Sequence, residues 1–128
     1  MFWNLSPFFL VSIPILVLLD FLFFAVFKSM FETQIFDVQK SNLRLRISGG
    51  LACYFFLFLG LFYFIFKDGR SPLEAMVLGL VIYGVFETTS YALLEKWKLK
   101  TALIDISWGG ILFYLTAYMT YAIVSLNK

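Results

Sequence analysis

Residues 71–94 read SPLEAMVLGLVIYGVFETTSYALL. Ser71-Pro72-Leu73-Glu74 has the form of a capping box with proline at the first helical position, so a helix is expected to start at Pro72. From there the run stays apolar to Leu94, long enough for the roughly 20 residues that a helix needs to cross a bilayer core. Past the first turn, Glu87 is its only charged residue. The stretch therefore reads as a transmembrane helix with a carboxyl group inside it.

Working outward, three further stretches have the same character: residues 8–27, 48–66 and 101–124. The expected fold is an all-α integral membrane bundle of four transmembrane helices, one domain over residues 1–128, with short charged segments between the spans. Composition agrees. The chain is 62% hydrophobic and 21% aromatic but only 14% charged, and its mean hydropathy is +0.90. A soluble domain carries about a quarter charged residues. The seventeen Phe residues read as bulk facing lipid. The N-terminus lacks the basic start and small-x-small site of a cleavable signal, and its apolar run continues past Asp20. Pro7 and Pro14 suit the start and a mild kink of the first helix. Trp3 and Trp97 read as markers of the membrane interface.

Lysine and arginine divide unevenly. The first and third connections hold Lys28, Lys40, Arg44, Arg46, Lys96, Lys98 and Lys100; the other side holds Lys67, Arg70 and Lys128. The positive-inside rule then puts the first and third connections in the cytoplasm and both termini outside.

Three acids lie inside the spans beyond their first turns: Asp20, Glu87 and Asp105. At 1.5 Å per residue, Asp20 and Glu87 sit about 10 Å from the ends of their spans, and Asp105 about 6 Å from the start of its own. All three fall in one leaflet. An ionised acid at the centre of a lipid-facing helix costs about 2.5–3.5 kcal/mol on insertion scales, and burial favours the neutral form. The acids are therefore expected to face the bundle interior and share a polar site. Helical spacing gives that site supporting residues. Tyr83, Gly84, Glu87, Ser90 and Tyr91 fall on one side of the third span, Gly84 allowing close approach of a neighbour and Ala75 and Gly79 forming a small-xxx-small pair. Asp105, Trp108, Gly109 and Leu112 share a face of the fourth span, and Ser12, Leu16, Asp20 and Phe24 a face of the first. The six-residue connection EKWKLK, Glu95–Lys100, makes the last two spans antiparallel neighbours. Each acid also has a plainer reading: a helix-start residue for Asp105, and an interhelical hydrogen bond alone for Asp20 and Glu87.

Residues 79–109, GLVIYGVFETTSYALLEKWKLKTALIDISWG, resemble the uncharacterised bacterial integral membrane proteins grouped as domain of unknown function 2177. That family carries Gly-x-x-x-Tyr-Gly-x-Tyr-Asp-x-Thr-Asn, then Leu-x-x-Trp-Pro-Leu and Asp-Ile-x-Trp-Gly. Gly79, Tyr83, Gly84, Thr89, Trp97, Leu99, Asp105, Ile106, Trp108 and Gly109 stand at matching positions, and Asp20 resembles the acid of the family's first helix. Phe86-Glu87 replaces Tyr-Asp, Ser90 replaces Asn and Lys98 replaces Pro. The resemblance implies a four-helix membrane fold and no particular activity.

The functions left open are three. The first is a structural or binding subunit of a membrane assembly, with the lipid bilayer, further copies of the chain or a larger complex as partners. The second is a carrier of protons, metal cations or a small cationic solute using the acids. The third is a membrane enzyme on lipid-soluble substrates, which no nucleophile–base pair, phosphate loop or cofactor motif supports. A lone Cys53 and the lack of histidine remove an intrachain disulfide and the usual zinc and haem ligands. A net charge of +2, dispersed along the chain, gives no nucleic-acid surface. No catalytic residue, metal ligand or cofactor is assigned.

Overall fold

The computed structural model describes residues 6–126; Trp3 and Lys128 lie outside them. The described residues form helices and no strands, with α1 at Ser6–Val26, α2 at Lys28–Gln39, α3 at Ile47–Leu61, α4 at Pro72–Leu93 and α5 at Leu99–Leu126. A π-helical segment, Phe62–Phe66, prolongs α3. Four stretches are long and apolar enough to span a membrane: Ser6–Val26, Ile47–Phe66, Pro72–Leu93 and Leu99–Ser125. The protein is a multi-pass membrane bundle.

The capping box at the head of α4 forms as its sequence specifies. Ser71 Oγ accepts from the Glu74 N–H at 3.2 Å, and Glu74 Oε2 accepts from the Ser71 N–H at 3.0 Å. Pro72 has no N–H to satisfy, so two of the three donors left open at this helix start are thereby met.

Within the bundle, α4 packs most closely on α5, and α1 lies along α5. The α4–α5 crossing sits at Gly79 and Gly109. A Cβ on Gly79 would overlap the Gly109 carbonyl, and one on Gly109 would overlap the Tyr83 ring. The core is built from Leu16 of α1, Leu57 and Leu61 of α3, Ile65 and Phe66 of the π segment, Ala75 of α4, and Leu112, Phe113 and Ala117 of α5. Most other large side chains point outward, as a bundle solvated by lipid allows.

Two expectations change. The first connection is not simply a short charged segment, because it contains the 12-residue helix α2. Its mix of polar and apolar residues is too polar for a span but sufficient for a helix docked at a bundle end. On α1 the buried aromatic is Phe23, while Phe24 is exposed. A 3.6-residue period leaves one-residue ambiguity in which neighbour completes a face.

Candidate functional site

The end of the bundle that carries α2 holds the three acids, and each is buried. On α1, Asp20 is gripped by two neutral donors. The Tyr54 hydroxyl of α3 donates to Oδ2 at 2.6 Å, and the Trp108 indole N–H of α5 donates to Oδ1 at 3.0 Å. Trp108 is held flat by Phe23, whose ring stacks on it at 4.7 Å with an interplanar angle of 2°. One carboxyl group thus joins three helices.

Glu87 of α4 is only 1% exposed. Its Oε1 accepts from the Trp97 indole N–H at 2.8 Å. Oε2 is buried with no donor assigned to it, and the Asp105 carboxyl of α5 lies within hydrogen-bonding reach of Glu87. Two carboxylates bring only acceptors to such a contact, so a hydrogen bond across it requires a proton. Asp20 is close enough to Asp105 for their charges to interact.

Trp97 is placed by a latch. Gln34 of α2, 1% exposed, donates from Nε2 to the Lys96 carbonyl at 2.9 Å and accepts from the Lys98 N–H at 2.9 Å. The backbone on both sides of Trp97 is therefore tied to one side chain. An ion pair from Lys98 Nζ to Asp37 Oδ2, 3.4 Å, runs beside it. Helix α2 holds the α4–α5 connection, and the connection turns the indole onto Glu87.

The supporting residues divide. Tyr83 and Gly109 meet at the α4–α5 crossing, and Trp108 reaches Asp20. Gly84 does not mediate packing: a Cβ there meets nothing within 4 Å, and its carbonyl instead accepts from the Thr88 hydroxyl at 2.6 Å. Tyr91 is 50% exposed, so the expected polar face stops short of it, and the donor that reaches Glu87 comes from the connection. Ser90 is half-buried, its carbonyl taken by the Leu94 N–H at 2.8 Å. Trp97 is not an interface marker, since it is 7% exposed and engaged with Glu87.

A family model described as a predicted membrane protein (DUF2177) matches residues 5–122. The chain belongs to the DUF2177 family. Neither the curated proteins nor the solved structures yield a match to it. Two of the residues that this DUF2177 chain shares with the family pattern, Trp97 and Trp108, are the indoles that donate to Glu87 and Asp20. Tyr54 and Gln34 escape a reading of the sequence. A signal for both existed: with no lysine or arginine in the spans beyond Lys100 at the head of the last one, buried acids need neutral donors from other helices, and a glutamine in a half-polar helix beside a bundle end can supply paired bonds.

Proposed function

We propose that this DUF2177 protein is a structural or binding subunit of a membrane assembly, its buried acids fastening helices to one another. The observation that carries this reading is the pairing of acids with neutral donors from other segments: Asp20 with Tyr54 and Trp108, Glu87 with Trp97. A carboxyl group that accepts two such bonds is a strong fastener where water is excluded, because an unmet polar group there costs several kcal/mol. The exposed apolar faces of α1 and α3 then meet lipid, sister copies or a larger complex. The first and third connections face the cytoplasm and both termini lie outside, on the strength of the basic residues gathered at the α2 end.

A second reading, a carrier of protons or small cations, is favoured by one feature: the buried Glu87 carboxyl lies within reach of Asp105, and its Oε2 has no hydrogen-bond donor. Reconstitution separates the two. Liposomes containing the purified chain and an internal pH dye are given a pH gradient. The fastening role predicts no dissipation above empty liposomes, together with a lowered melting temperature for Glu87→Ala. Proton flux that Glu87→Gln abolishes at unchanged melting temperature would overturn the fastening role and establish the carrier.

A further inference from the structure

Between α2 and α3, residues 42–46 form neither helix nor strand, and Arg46, just before α3, is extended at φ −94° and ψ 106°. The turn that leads into this segment is held in place. Lys40 caps α2 in the left-handed region at φ 61°, its N–H bonded to the Phe36 carbonyl, and Gln39 Nε2 donates to the carbonyls of Ser41 and Asn42 at 3.2 and 2.9 Å. The sequence that follows, Asn42-Leu-Arg-Leu-Arg-Ile47, alternates strictly. In extended backbone, alternate side chains point to opposite sides. About the extended Arg46, Leu45 and Ile47 therefore fall on the side opposite its guanidinium group, and Arg44 and Leu43 continue the alternation in sequence. All five are exposed, Leu45 by 76%.

Charge at this end of the molecule is unbalanced. Among the described residues, the ion pairs are Arg70–Glu74 at the opposite end and Lys98–Asp37 here. Among the described residues neither Arg44 nor Arg46 has an ion-pair partner. Lys28, Lys40, Lys96 and Lys100 add to the excess over Glu32 and Glu95. At the opposite end Lys67 and Arg70 are matched by Asp68 and Glu74.

We propose that residues 42–47 form a strap that binds anionic phospholipid headgroups. The strap ends where α3 enters its span at Ile47, which puts it at the boundary between acyl chains and phosphates. Its leucines and isoleucine enter the acyl region, while the guanidinium groups take lipid phosphate, a bidentate match that arginine makes better than lysine. A soluble anionic partner would leave the apolar side wet; a headgroup layer satisfies both sides at once. The proposal is independent of whether the acids fasten helices or carry protons.

The test is native mass spectrometry of the purified full chain in detergent with equal amounts of phosphatidylglycerol and phosphatidylcholine. The expected result is preferential retention of phosphatidylglycerol that falls roughly 5-fold for each arginine neutralised, so about 25-fold in R44Q/R46Q. Lys67→Gln, at the opposite end, should leave the preference unchanged. On the unaltered chain, the preference should weaken as salt is raised, a measurement that does not depend on a variant folding. Equal retention of the two lipids, a preference indifferent to salt, or one undiminished in R44Q/R46Q would each overturn the proposal.

Discussion

Trp97 and Glu87 make the most consequential single contact at the residue scale. Trp97→Phe keeps an aromatic ring but deletes the donor to Oε1, leaving a second oxygen of a buried carboxyl without a partner. The expected loss is about 1–3 kcal/mol, read as a lower melting temperature in detergent. At Asp20, Tyr54→Phe and Trp108→Phe each remove one of two donors to the same group. Their effects should not add, and a double-mutant cycle should give a coupling energy of about 0.5–3 kcal/mol. Thr116→Val makes the opposite prediction. Its hydroxyl is buried with no hydrogen-bond partner, so the isosteric apolar side chain should be neutral or mildly stabilising. The acids were legible in the sequence because charge stands out in an apolar run. Their donors were not, since in a chain that is 21% aromatic an indole N–H is hidden among rings that merely face lipid.

Two glycines of α4 separate packing from bystanders at the scale of the element. Gly79→Ala drives a methyl group into the Gly109 carbonyl, which is backbone and cannot swing aside. The helices must part, at an expected cost of about 1–3 kcal/mol. Gly84→Ala meets open space and should be neutral or gain up to about 1 kcal/mol of helix propensity, as thermal melts would show. Five residues apart, the two glycines lie about 140° from one another round the helix, and only the position of α5 shows which of them meets a neighbour. Helix α2 was illegible for a related reason: its residues satisfy no membrane criterion, and its place depends on Gln34 finding the far side of the α4–α5 turn. Gln34→Ala removes both latch bonds. Hydrogen exchange should speed up through residues 28–39 and 94–98 while the centres of α4 and α5 remain protected.

For the whole molecule, the number of spans and their approximate limits follow from hydropathy, because the bilayer fixes a length that any crossing helix must meet. Which helices touch does not follow. Asp20 meets Trp108 and Phe8 meets Tyr121, so α1 lies antiparallel along α5, a pairing of the first and last spans that loop lengths do not encode. The orientation in the membrane is open to direct measurement. In a Cys53→Ser background, Ser41→Cys reports the α2 end and Asp68→Cys the opposite end, both positions being exposed. With a membrane-impermeant maleimide on intact cells, Asp68→Cys should label and Ser41→Cys should label only after permeabilisation. The reverse pattern would invert the molecule and leave the bundle as it is.

The pairing of indoles with carboxyl groups also makes the molecule its own optical probe. Of the three tryptophans in the chain, two send their N–H directly to a buried acid. Indole emission responds to the charge at the other end of such a bond, so Glu87→Gln or Asp20→Asn should shift the intrinsic fluorescence of unlabelled protein. Trp97→Phe and Trp108→Phe, measured singly, would assign each part of the signal to its own carboxyl group.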